Sequence, residues 1–362
     1  MTMPKPQPGI LDIAPYKGGE GAVMGVERVY KLSSNESPLG ASPRAKEAYQ
    51  KLAGELHRYP DGAADALRNG IAKHFGLPAA NIVCSNGSDE MISLLCAAYC
   101  GPGDEVLYSQ HGFLMYPIAA MARGATPVKA PERNYTTDVD ALLAAVTPKT
   151  KIVFVANPNN PTGSYITAAE LRRLRDGLPS GVLLVVDAAY AEYVNRNDYS
   201  NGAELVAERD DTVMLRTFSK IYGLGGLRVG WTYAPENIVA VISRLRGPFN
   251  VNAAAQAAGL AALDDIGWLD KARSHNDTEL PRVSAALQGL GLEVLPSVGN
   301  FVLIRFPGGA AQAKAADEAL RKRGLILRAM GAYGLGEALR LTVGTVEEND
   351  LVVASLRDFL KG

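Results

Sequence analysis

The chain predicts an α/β fold: a large domain on a mostly parallel seven-stranded sheet, followed by a smaller α+β domain. Three observations carry this. Between about residue 45 and residue 250, short apolar runs alternate with stretches of helical periodicity. The runs are nearly continuous in Val, Ile and Leu, which suits strands buried on both faces. After Gly247-Pro248-Phe249 the pattern changes to a long alanine-rich helical region, roughly 253–290, and then to strands and helices of mixed order. With 362 residues and 47% hydrophobic content, the chain can bury cores for both domains.

Taken in order, residues 1–30 read as an arm, proline-rich over Met1–Pro8 and glycine-rich from Gly18 to Gly25. Strands are expected at Ile82–Cys84, Glu105–Tyr108, Thr126–Lys129, Lys151–Val155, Val182–Val186, Val213–Arg216 and Val229–Tyr233. Helices are expected near 43–54, 63–75, 88–99, 116–123, 138–145, 167–176 and 235–246. Beyond the long helical region come strands at Glu293–Leu295, Asn300–Arg305, Leu325–Leu327 and Leu339–Val343, with helices near 310–323 and 347–360. The large domain is placed at 31–250 and the small one at 251–362, the latter joined by part of the arm.

Charge and cysteine content narrow the function. Lys and Arg number 37 against 38 Asp and Glu, so no basic excess points to nucleic acid or an anionic membrane. An anionic ligand must therefore be caught by local arrangement. No signal-peptide pattern or run of about 18 apolar residues appears, so no membrane span is expected. Cys84, Cys96 and Cys100 form no disulfide framework, and a cytoplasmic location is the expectation. The histidines, His57, His74, His111 and His275, show no metal spacing.

The most informative segment is Thr217-Phe218-Ser219-Lys220 with Arg228 shortly after. The strand before it and Gly223, Gly225 and Gly226 behind it put a lysine in a tight loop beside a hydroxyl and a guanidinium. An unprotonated lysine amine attacks carbonyls, and burial near another cation favours that form. Pyridoxal phosphate needs such an amine for its aldehyde, and hydroxyl and guanidinium donors for its phosphate. Three further loops follow strands, where ligands of open parallel sheets bind. Asn86-Gly87-Ser88-Asp89-Glu90 opens a helix, giving either an anion site or a plain capping box. Asn157-Pro158-Asn159-Asn160-Pro161-Thr162-Gly163 can present an amide to a ring oxygen. Asp187 ends an apolar run, where a carboxylate is costly unless paired; a protonated pyridine nitrogen would pair with it, though a helix N-cap is the common use. Tyr190, three residues on, would reach the ring hydroxyl. Signatures for dinucleotides, Walker-type nucleotide sites, serine hydrolases and zinc proteases are missing.

With these strings the chain resembles the fold type I pyridoxal phosphate aminotransferases, which have a three-layer large domain, and within them the histidinol-phosphate aminotransferase branch. The resemblance is carried by Leu32-Ser33-Ser34-Asn35-Glu36-Ser37-Pro38-Leu39-Gly40, His57-Arg58-Tyr59-Pro60, the four loops above and Leu339-Arg340-Leu341-Thr342-Val343-Gly344. Ser37 stands where that branch more usually has asparagine. The resemblance implies that Lys220 bonds the cofactor aldehyde, Asp187 pairs with the ring nitrogen, and Asn160 and Tyr190 contact the ring oxygen. It implies that Phe113 stacks on the ring and that Ser88, Asp89, Ser219 and Arg228 hold the phosphate. Tyr59 would reach the phosphate of a neighbouring subunit's cofactor, hence a homodimer. Arg340, with Arg328 and Tyr16, would form the substrate's anion pocket, with Asn35 close by.

The implied reaction passes an amino group between L-glutamate/2-oxoglutarate and histidinol phosphate/imidazole acetol phosphate, in histidine biosynthesis. An aminotransferase for aromatic amino acids would use much the same residues, and a pyridoxal phosphate-dependent decarboxylase of a phosphorylated amino acid shares the fold and lysine. A regulator built on the same fold would need a basic DNA-binding segment for which the arm has no room.

Overall fold

The computed structural model describes residues 4–7, 9–16 and 18–362. Seven strands form the central sheet: β1 (Ile82–Ser85), β2 (Glu105–Ser109), β3 (Thr126–Ala130), β4 (Thr150–Ala156), β5 (Leu183–Asp187), β6 (Thr212–Thr217) and β7 (Gly230–Tyr233). Their spatial order is β1-β7-β6-β5-β4-β2-β3. Only β7 runs against its neighbours, pairing Trp231 with Cys84 on one side and Arg216 on the other. The carboxyl ends of the six other strands therefore share one edge, and β7 begins at that edge. Arg228, which precedes a strand, thus meets loops that follow strands.

Alternate residues of the same strand serve two cores. On one face Phe154, Leu183, Val185, Val213 and Leu215 pack under the helices Ser88–Tyr99, Met115–Met121 and Glu236–Leu245. On the other, Val153, Val155, Leu184 and Val186 pack under Val139–Ala144, Ala168–Gly177 and Ala203–Glu208. Both faces are buried, so the strands read as continuous apolar runs, and each fully buried aliphatic side chain contributes about 1.5–3 kcal/mol. The result is a helix–sheet–helix sandwich.

The alanine-rich region is two helices, Ala253–Leu263 and Ile266–Gln288, broken at Asp264-Asp265. Ala255, Ala258 and Ala262 of the first are buried with Leu67 and Phe218, their small size letting backbones approach. A second sheet follows, ordered Glu293–Val294, Phe301–Arg305, Ala338–Thr342 and Arg328–Ala329, all antiparallel. Helices Gly309–Lys322 and Val346–Lys361 cover it. Tyr30–Lys31 pairs in parallel with Leu325–Ile326, so the chain crosses this second unit before entering the large sheet. Among the described residues no helix is long and apolar enough to cross a membrane, and no cluster of His, Cys, Asp and Glu is arranged to hold a metal.

Candidate active site

Every side chain singled out in the sequence, except Tyr59, lines one cavity at the carboxyl edge of the large sheet. Loops after β1, β2, β4, β5 and β6 supply Ser88 and Asp89, Phe113, Asn160, Asp187 and Tyr190, and Ser219 and Lys220. The second sheet adds Arg328 and Arg340, and residues 16–35 add Tyr16, Gly19, Ser33, Ser34 and Asn35. Tyr59 lies elsewhere: it is 83% exposed and stacks on Phe249 at 4.7 Å.

At one end of the cavity the helix Ser88–Tyr99 begins with no side-chain cap, so its first N–H groups are open to an anion. Two glycines make the approach possible. Gly87 is left-handed (φ 79°), and a Cβ there would collide with the Arg228 guanidinium. A Cβ on Gly230 would sit 2.7 Å from the Ser88 nitrogen. Arg228, itself left-handed (φ 54°), donates to Ser219 Oγ at 3.3 Å and to Asp89 Oδ2 at 3.1 Å. The Asp89 carboxylate is thereby paired with a cation; toward a phosphate this residue offers its backbone N–H. Glu90 does not complete a capping box; it turns back to accept from Asn86 N at 2.6 Å and Asn250 Nδ2 at 2.7 Å.

Asp187 stands under the middle of the cavity. It is buried, and no helix follows for it to cap: a short 3₁₀ turn, Ala191–Tyr193, comes next. Its Oδ2 accepts from the Tyr116 hydroxyl at 2.8 Å, while Oδ1 is buried without a partner. Burial pushes its carboxyl up from an ordinary 3.8 to about 6, against the pull of Tyr116 and of the Lys220 charge. An orphaned carboxylate oxygen in a closed site calls for a donor, and a protonated ring nitrogen is one. Lys220 donates from Nζ to the Ser34 carbonyl at 3.2 Å and lies 5.5 Å from the Tyr190 ring centre. The Tyr190 hydroxyl accepts from Asn35 Nδ2 at 2.8 Å. Asn35 is held left-handed (φ 55°) by Thr342 Oγ1, which accepts its backbone N–H at 2.9 Å, and by Asn300, which donates to its carbonyl at 3.0 Å.

Arg340 occupies the other end. It is buried, and among the described residues no carboxylate pairs with it. It donates to the Asn160 Oδ1 and, at 2.8 Å, to the Ser33 carbonyl, while its Nε has no partner. Burial lowers its pKa. Two of five donor hydrogens are spent, so a desolvated cation with donors to spare faces the cavity, an arrangement that an entering anion would complete. Asn160, by accepting from Arg340, keeps its Nδ2 as a donor for a ring oxygen. Tyr333, whose phenol burial pushes up, lines the same wall.

Sequence reasoning missed Tyr116, Tyr333, Thr342 and Asn300. Tyr116 sits in an apolar helical stripe, and its role depends on Asp187, 71 positions away. Thr342 carried a signal, since it lies inside the string around Arg340.

The cavity has an amine, an orphaned carboxylate, an uncapped helix start and a buried arginine, as a pyridoxal phosphate enzyme handling anionic amino acids requires. A family model for class I and II aminotransferases matches residues 27–356. The chain belongs to that family, and its architecture is aminotransferase fold type I. It is 61% identical over 361 residues to the histidinol-phosphate aminotransferase of Paramagnetospirillum magneticum, covering 99% of each chain. With the histidinol-phosphate aminotransferase of Rhodospirillum centenum it shares 56% over 362 residues, covering 100% of each. Its structure is similar to that of histidinol-phosphate aminotransferase from Sinorhizobium meliloti in complex with pyridoxal 5'-phosphate, with a TM-score of 0.87, 29% identity and coverage of 91% and 90%.

Proposed function

We propose that the chain catalyses pyridoxal phosphate-dependent transamination between L-glutamate/2-oxoglutarate and histidinol phosphate/imidazole acetol phosphate. The observation that carries this is the pairing, in one cavity, of a buried arginine for which no carboxylate partner stands among the described residues with a buried carboxylate one of whose oxygens, Asp187 Oδ1, has no donor. One awaits an anion and the other a ring cation. When bound, the cofactor supplies an electrophilic aldehyde and a ring that accepts an electron pair. Lys220 would hold the cofactor through that aldehyde. Its Nζ, which donates to the Ser34 carbonyl, would take the proton from the substrate's Cα and return it during transfer. Asp187 Oδ1 would hold the proton on the ring nitrogen. Tyr190 and the Asn160 amide would position the ring oxygen, Phe113 would pack on the ring, and Ser88, Asp89, Ser219 and Arg228 would hold the phosphate.

Arg340 takes the glutamate carboxylate in one half-reaction and the phosphate of the second substrate in the other, since its planar fork pairs with two oxygens of either group. Arg328 and Tyr16 complete that pocket, and Asn35 borders it. The chain acts as a large cofactor-binding part, 31–250, and a smaller part, 251–362, which brings the arginines. It works in the cytoplasm as a homodimer. Tyr59, 83% exposed and stacked on Phe249, forms an exposed apolar contact that a second copy covers, Tyr59 reaching the partner's phosphate site.

The test is spectroscopic. Glutamate should shift the absorption of the holoenzyme to that of the amine form, and imidazole acetol phosphate should restore it. Restoration by phenylpyruvate at a rate equal to or above that with imidazole acetol phosphate would instead make the enzyme an aromatic aminotransferase. Release of carbon dioxide without a 2-oxo acid acceptor would make it a decarboxylase.

A further inference from the structure

We propose that Tyr116 is a positioning residue for the cofactor ring: by holding Asp187 Oδ2 it commits Oδ1 to the ring nitrogen and keeps their shared proton on the ring. This rests on the pyridoxal phosphate reading above. Among the described residues, Tyr116 is the only side chain that hydrogen-bonds the Asp187 carboxylate, and it does so at 2.8 Å from complete burial. Its own ring cannot swing away. It lies flat on Phe154 of β4, with centres 4.5 Å apart and planes 4° apart, and meets Phe113 edge-on at 5.9 Å and 90°. Phe113 is the residue assigned to the cofactor face. One tyrosine therefore touches both the side chain that stacks on the ring and the one that pairs with its nitrogen.

The chemistry follows from competition for one proton. A carboxylate that already accepts a hydrogen bond is a weaker base than one that does not. Without the Tyr116 hydroxyl, Asp187 would draw the proton from the ring nitrogen. The remaining groups around Asp187 are the Asp89 carboxylate, which works in the same direction, the Lys220 amine and the Ala189 backbone N–H, which oppose it, and the phenols of Tyr190 and Tyr199.

The experiment uses the cofactor-free full chain, wild type and Tyr116→Phe. Each is titrated with pyridoxal phosphate and with its 1-deaza analogue, in which the ring nitrogen is a C–H. A hydrogen bond to a charged group sets the scale, so the variant should lose about 10- to 100-fold in affinity for pyridoxal phosphate. For the analogue, which has no proton to share, the loss should be a few-fold at most. With ¹⁵N-labelled cofactor, the ring-nitrogen resonance of the variant should move from the pyridinium toward the neutral position. An equal loss for both compounds, or an unmoved resonance, would reduce Tyr116 to packing and overturn the proposal. Should the variant not fold, 3-fluorotyrosine at 116 keeps the shape with a more acidic donor. It should widen the preference for pyridoxal phosphate over the analogue, and an unchanged ratio would overturn the proposal. Failure of the wild type to bind pyridoxal phosphate would instead overturn the underlying reading of the site.

Discussion

Replacing Asp187 by asparagine should stabilise the cofactor-free protein at neutral pH while impairing its site. Burial raises the Asp187 carboxyl from 3.8 to about 6. For an acid shifted upward, the folded state holds its proton longer than the unfolded one. Between those two values the folded state binds more protons, so stability falls as pH rises, and the cost is complete above about pH 6. At about 1.36 kcal/mol per pH unit, the interval amounts to up to ~3 kcal/mol. Asparagine has nearly the same shape, can still accept from Tyr116, and does not ionise. Urea unfolding of the apoprotein at fixed protein concentration, from pH 4 to pH 8, reads the effect. The variant's advantage should be near zero at pH 4 and grow to about 2–3 kcal/mol by pH 7.5. A variant no more stable than wild type at pH 7.5, or a difference independent of pH, would refute the account of this carboxylate. The same substitution should weaken cofactor binding, because asparagine cannot balance a ring cation.

Two further outcomes test the substrate end and the assembly. Arg340→Lys keeps the charge but loses the fork that spans Asn160, the Ser33 carbonyl and an anion, so kcat/KM for both glutamate and histidinol phosphate should fall about 100-fold in steady-state assays. A loss for one substrate alone would contradict a shared anion pocket. Tyr59→Ala and Lys220→Ala chains, each inactive alone, should regain activity when co-expressed, because one mixed site would combine an intact Lys220 with an intact Tyr59 from the other chain. No recovery in purified heterodimers would place Tyr59 outside the partner's site.

Much of the fold was legible because strands buried on both faces leave continuous apolar runs, as Thr150–Ala156 and Leu183–Asp187 do in the middle of the sheet, and all seven large-sheet strands occur where strands were expected, the half-exposed edge strand Thr126–Ala130 included. The break at Asp264-Asp265 was not, since helix-compatible residues stand on both sides of it and neither proline nor glycine stands at it. The helix Ala203–Glu208 is too short for periodicity to show, and the Tyr30–Lys31 pairing is fixed by a partner about 295 positions away that local propensity cannot see. In the site, Lys220, Asp187 and Arg228 betray themselves by standing at a strand end or in the loops beside one, where a charge needs a reason. Tyr116 does not: a tyrosine in an apolar helix looks like core, and it is core, except for one oxygen whose partner comes from another strand. Arg340 was legible as a cation, but its isolation from carboxylates, which gives it meaning, exists only in three dimensions.

The central claim concerns one nitrogen. Borohydride reduction of the holoenzyme, followed by proteolysis and mass spectrometry, should find a single pyridoxyl label on the peptide containing Lys220, and none in Lys220→Ala. A label on another lysine, or no label in protein that retains transaminase activity, would contradict the account.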